Sequence, residues 1–205
     1  MFGPMAVEVK SQMREACMLL AACCILGSWS ASGDAQGVPI TLPEERPAQI
    51  DACALLSPAA VSEATGFPAN AGIRRDAGYE PNGSYSSSCV WLLEREISDA
   101  GQNAALGGRS FVILNAMRWP AGSGLADSFL QAFRDAAHRG EIPREPVPRN
   151  YGDAALWWGD GLAVRMDDVS FGISVVLPGI SPARPGEFEE RLAAEILLQL
   201  ERSPD

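Results

Sequence analysis

Lysine is almost missing from this chain: Lys10 is the only one, and every later cation is an arginine. A Schiff-base lysine, a Walker-type phosphate lysine or a Ser-Lys dyad therefore has no residue to build it beyond the N-terminal segment. Histidine is as scarce. His138 stands alone, which excludes a His-rich metal site, and its place in the last turn of a predicted helix suits a cation beside the terminal carbonyls. Neither an H-E-x-x-H pair nor an EF-hand loop is present, so no metal and no cofactor are expected. Basic stripes are missing too. The net charge of −10 disfavours nucleic acid as a partner, because phosphate binding rests on clustered Lys and Arg.

Long apolar runs are also lacking. The run from Ala16 to Leu26 covers eleven residues, well short of the roughly 20 that a membrane-spanning helix needs. Preceded by Arg14 and followed by the small residues of "SWSAS" and "GDA", it reads instead as the core of a signal peptide over residues 1–35, with Met13 as a second candidate start that would leave residues 1–12 untranslated. Two processing routes fit. Ordinary cleavage would release the chain, whereas "LAAC", Leu20 to Cys23, has the form of a bacterial lipobox that would acylate Cys23; membrane attachment is expected only by that second route. A buried N-terminal helix is the remaining alternative. Residues 36–50, rich in proline and without periodicity, read as a linker ahead of a single domain over 51–203.

Cys17, Cys23 and Cys24 lie inside the leader, leaving Cys53 and Cys89 as the only pair in an exported chain. An oxidising compartment would join them in a disulfide. Neither has C-x-x-C spacing or a neighbouring His or Lys, the usual marks of a reactive thiol. Cys53 thus reads as a tether.

Hydrophobic period and turn chemistry give the rest of the plan. Ser57-Pro58 and Gly66 bound a short helix. The Gly-, Ser- and Asn-rich segment 71–88 reads as a long exposed loop, with a formal glycosylation sequon at Asn82. "CVWLLER" and "RSFVILNAMRW" read as paired strands joined by a turn in "DAGQNAALGG". A helix is expected over 123–138, with Leu125, Phe129, Ala132, Phe133 and Ala136 on its apolar stripe, then a proline-rich connection "IPREPVP". A three-strand meander follows, with a type I′ turn at Asp160-Gly161 and a second reversal at Asp167-Asp168. A last helix repeats Phe188, Leu192, Ile196 and Leu200, its glutamates on the opposite face. The fold class is α+β: a single antiparallel sheet of about five strands packed with three helices in the order α-β-β-α-β-β-β-α.

Tests for chemistry return little. Gly122-Ser123-Gly124 falls short of a nucleophile elbow, and Ser123 suits a helix cap. As a dinucleotide fingerprint the same stretch places Asp127 where the third glycine belongs. Asp153, Asp160, Asp167 and Asp168 could supply the acid pair of a glycoside hydrolase, yet three of them fall in predicted turns, where Asp is favoured for local backbone bonding. No catalytic residue is assigned. Trp157 and Trp158 should face opposite sides of a strand, one in the core and the other a contact residue. With Tyr79 and Tyr85 they make the candidate binding surface.

Asp51, Cys53, Leu55, Leu56, Ser57 and Val61 form a D-x-C-x-L-L-S-x-x-x-V opening, Cys89 and Trp91 a C-x-W strand, and Gly152-Asp153-Ala154-Ala155 a G-D-x-A turn before the meander. Over roughly residues 50–202 this pattern resembles a group of small secreted bacterial proteins and lipoproteins of unknown function with a PsbP-like α/β sandwich. The resemblance implies that sandwich and a non-catalytic binding or accessory role, and it carries no catalytic residues. The functional expectation is an exported, envelope-associated domain, periplasmic or extracellular, that binds a protein or a small apolar ligand. An inhibitor or immunity-type protein with a basic partner, and a carboxylate-dependent hydrolase, are the alternatives.

Protein expressed with its own leader is expected to begin after Cys24 and, unreduced, to weigh less by the two hydrogens that a disulfide removes. Denaturing mass spectrometry reads both. An uncleaved chain with free thiols would contradict the compartment argument.

Overall fold

A computed structural model describes residues 46–94, 109–142, 144–180 and 182–202. The leader, the lipobox cysteine Cys23 and the "DAGQNAALGG" turn lie outside the described residues. Four helices and one seven-stranded antiparallel sheet make up the described fold: α1 (Ala52–Leu55), α2 (Pro58–Thr65), β1 (Ile73–Tyr79), β2 (Tyr85–Leu92), β3 (Phe111–Arg118), α3 (Leu125–His138), β4 (Val147–Arg149), β5 (Ala154–Trp157), β6 (Leu162–Met166), β7 (Val169–Val176) and α4 (Glu187–Arg202). The α+β class and the single antiparallel sheet agree with the sequence reading; the counts of about five strands and three helices do not, the added helix being the single turn α1. Two strands were hidden. β1 occupies what reads as a loop and β4 what reads as a proline-rich connection.

Strand order is β1-β2-β3-β7-β6-β5-β4. The chain leaves β3, crosses one face as α3, reaches the far edge at β4, and returns through a four-strand meander until β7 pairs with β3. Helices α1, α2 and α4 cover the opposite face. There the main core joins Val61 of α2 and Leu192 and Ile196 of α4 to Trp91, Leu114, Val164 and Phe171 of the strands.

Local chemistry explains the element ends. Ser57 accepts the Ala60 N–H at the start of α2, and Gly66 closes it in the left-handed region (φ 78°). At the start of α3 the cap residue is Gly124, not Ser123; the Ser123 hydroxyl still accepts the Leu125 N–H at 3.3 Å. The buried stripe of α3 is centred on Ala126 and Leu130, with Phe129 and Phe133 beside them, while Ala132 points outward. A type I′ turn at Asp160-Gly161 would need a positive φ at both residues. In the β5–β6 turn the positive φ falls on Gly159 instead (113°), one residue earlier than expected. Asp167 alone among the described non-glycine residues takes a positive φ (50°), and its N–H is held by the Asp153 carboxylate at 2.8 Å.

Cys53 and Cys89 form a disulfide with a Cα–Cα distance of 5.1 Å across a sequence separation of 36. Closing such a loop stabilises a fold by roughly 3–4 kcal/mol in the chain-entropy account. Polar contacts reinforce it. Asp51 caps α1 by accepting the Cys53 N–H, Arg74 bridges Asp51 (2.7 Å) and Asp76 (2.5 Å), and Ser87 donates to Asp76 while accepting the Ala52 N–H.

Gly72 runs directly over this junction: a Cβ there would stand 2.5 Å from Cys89 Sγ, 2.9 Å from Trp91 Nε1 and 3.1 Å from Cys53 Sγ. Gly72→Ala should cost about 1–3 kcal/mol, as overpacking does. Urea denaturation of oxidised protein measures it, and an unchanged midpoint would show that the strand end yields freely.

Candidate functional site

Pairing register assigns every strand residue to a face, because directly opposed residues share one. Two cross-strand rows stand out on the α3 side of the sheet. One runs Ile73–Val90–Ile113 and ends at Ser174; the other runs Leu92–Phe111–Val176. The six apolar residues of these rows belong to neither buried core cluster. Ile73 is 44% exposed and the other five are half-buried. Nearer the other end of the strands the same face turns polar, with Arg75, Ser88 and Asn115 in one row and the Ser88 hydroxyl bonded to Asn115 Oδ1 at 2.6 Å.

α3 explains why this half stays open. Its Phe129, Leu130 and Phe133 pack on Leu156, Ala163 and Trp158, so the helix covers β5 and β6 and touches β7 at Gly172. Arg165 of β6 meets Asp127 of the helix at 2.9 Å. Fourteen residues make one helix of about 21 Å length and 10–12 Å diameter. At about 4.8 Å per strand, that width cannot reach across to β1, β2 and β3.

The four aromatic residues singled out in the sequence are engaged within the chain and do not form one patch. Trp157 and Trp158 do face opposite sides. Trp157 packs against the main core with the Arg149 guanidinium 5.7 Å from its ring centre, and Trp158 stacks on Phe133 at 4.7 Å. Tyr85 is buried; Tyr79 meets it edge to face at 5.0 Å, lies under Arg46, and donates its hydroxyl to the Pro47 carbonyl.

Of the four aspartates, Asp153, Asp167 and Asp168 gather at the β6–β7 turn and Asp160 stands apart. Asp153 accepts from Arg165 (3.0 Å) and from the Asp167 N–H, bracing the β6–β7 turn, while Asp160 lies beyond the other end of β6, roughly 17 Å away by strand rise. Asp168 contributes its carbonyl to the Trp119 N–H. His138 is exposed at the end of α3. Among the described residues no group of three or more His, Cys, Asp and Glu side chains is placed to hold a metal ion. An open groove of about 340 Å³ beside α3, lined by Asp127, Ser128, Leu130, Gln131, Arg134 and Ala154, contains no paired nucleophile and base.

Two carboxylates that the sequence reading placed outward are buried: Glu189 and Glu190, in the first turn of α4. Glu190 gathers Arg149 (2.9 Å), Arg184 and the Tyr151 hydroxyl, tying α4 to β4 and to the segment before the helix. Burial and the Glu190 charge push the Tyr151 hydroxyl up from its ordinary value. Glu189 meets no cation among the described residues. Its carboxylate accepts the Val175 N–H at 3.3 Å, and desolvation raises its pKa above the usual range. Only the strength of the apolar stripe was legible beforehand, because a glutamate reads as solvated until a tertiary partner is known.

No family model, no curated protein and no solved structure matches this chain.

Glu189 yields a signed prediction. Its folded pKa lies above the unfolded one, so the folded state binds the proton more tightly, and stability falls as pH rises from the unfolded value through the folded one. Glu189→Gln removes that loss. The variant should melt higher at pH 7, and the gain should vanish toward pH 4. A gain that persists unchanged at pH 4 would show that ionisation is not its source.

Proposed function

We propose that this chain is a non-catalytic, exported, envelope-associated binding domain that engages its partner through the open half of its sheet. One observation carries the reading: six apolar residues on β1, β2, β3 and β7 form two continuous rows that no described helix covers. Contiguous apolar surface of this kind marks interaction sites on soluble domains. A flat face suits a macromolecule better than a small ligand, whose sites are concave.

The disulfide supports an oxidising compartment. No helix among the described residues is long and apolar enough to cross a membrane. Membership of the PsbP-like secreted group belongs to the same proposal; of its motif residues, Asp51 caps α1, Ser57 caps α2, and Cys53 is bonded to Cys89. The carboxylate-hydrolase alternative finds less support, since Asp153 is committed to Arg165 and Asp160 lies at the far end of β6.

Val90→Asp and Ile113→Asp, separately, should leave the chain folded, at the cost of several degrees in melting temperature, because both side chains lie outside the buried core clusters. Each should lower recovery of a stoichiometric partner co-purified from the native envelope at least tenfold. Undiminished recovery with both variants would remove this face from the function.

A further inference from the structure

The open half of the sheet repeats, unoccupied by any described element, the features by which the covered half holds α3. On the covered half, a helix lays Phe129, Leu130 and Phe133 on apolar strand residues, and its acidic Asp127 meets an arginine of that same face, Arg165. On the open half, the rows Ile73–Val90–Ile113 and Leu92–Phe111–Val176 supply the apolar floor, and register puts Arg75 on the same face, opposite Ser88. Arg109, exposed just before β3, flanks the other end. Neither arginine makes an ion pair among the described residues. Continuing the register puts exposed Glu94 opposite Arg109, so among the described residues Arg75 is the cation of this face with no carboxylate across from it. From β1 to β7 the open strands span roughly 14 Å at about 4.8 Å per strand, enough for one helix of 10–12 Å diameter lying beside α3.

Resting on the binding-face reading above, we propose that the occupant is an amphipathic helix of another protein, with apolar residues at i, i+3, i+4 and i+7 and acidic residues at its margin that pair with Arg75. The apolar stripe would supply the contact area and the acids the orientation. A basic partner segment is disfavoured, because it would meet like charge at Arg75.

The test places a photoreactive benzoylphenylalanine at position 113 of the full chain, expressed with its own leader in the native cell, and at position 198 on exposed α4 as a control. Peptides cross-linked at each position are identified by mass spectrometry. The expected result is a cross-link from position 113, absent from position 198, to a segment of a different protein with apolar helical spacing and flanking Asp or Glu. Arg75→Glu should reduce its yield about tenfold, and exchanging the partner's acids for arginine should restore it. A cross-link to lipid, to a second copy of this chain, or to a basic or non-helical segment would overturn the helix proposal while leaving the face as the binding site. No specific cross-link from position 113 would overturn both.

Discussion

The bond between Cys53 and Cys89 is the constraint on which the rest of the described fold depends. A helix of four residues, α1, has no stability of its own. Joined to β2 it becomes a fixed corner, with Asp51 capping it and Ser87 receiving its first N–H, and from that corner α2 is directed onto α4. The same corner secures the sheet edge. β1 is charged and largely exposed, and Arg74 and Asp76 hold it through Asp51 and Ser87, residues on either side of the disulfide. The register shift between Asp76 and Gly78 and the charges along the strand also discourage pairing with another chain's edge.

Chain path then makes the two faces unequal. Three helices lie on one face and one on the other, because the crossing from β3 to the far edge is made only once. That single crossing leaves β1, β2 and β3 without a described helical cover on the α3 side. The two apolar rows lie there, on the face to which the binding role proposed above is assigned. The buried carboxylates of α4 belong to a different problem. Glu190 ties the helix to β4 through Arg149 and to the segment before it through Arg184, and Glu189 accepts a strand N–H with no cation beside it among the described residues.

Much of the architecture was legible because it depends on local pattern. Ser57-Pro58 and Gly66 bounded α2 correctly; the four-residue repeat from Phe188 to Leu200 marked α4; the alternation through Phe171, Ile173 and Val175 marked β7. The disulfide followed from cysteine counting. Where the reading missed, the signal was not local. β1 carries Arg-Arg-Asp near its start because an edge strand needs no apolar alternation, and β4 is three residues with a proline, which only the edge of a sheet accommodates. The aromatic residues drew notice for their type, but Trp158 was already taken by Phe133 and Tyr79 by Pro47.

What the sequence by itself determined is the set of statements that local chemistry can carry: the antiparallel α+β class, the cysteine pair, the caps of α2, and the lack of any lysine beyond the N-terminal segment. Tertiary structure alone decided which apolar residues have no described helix over them. Val90, Ile113 and Phe111 alternate just as core residues do, since a strand shows each face its own period without saying whether anything lies upon it. Coverage is set by where α3 crosses, and that depends on pairing β7 with β3 across the helix and the whole meander between them, a long-range choice that no single segment encodes.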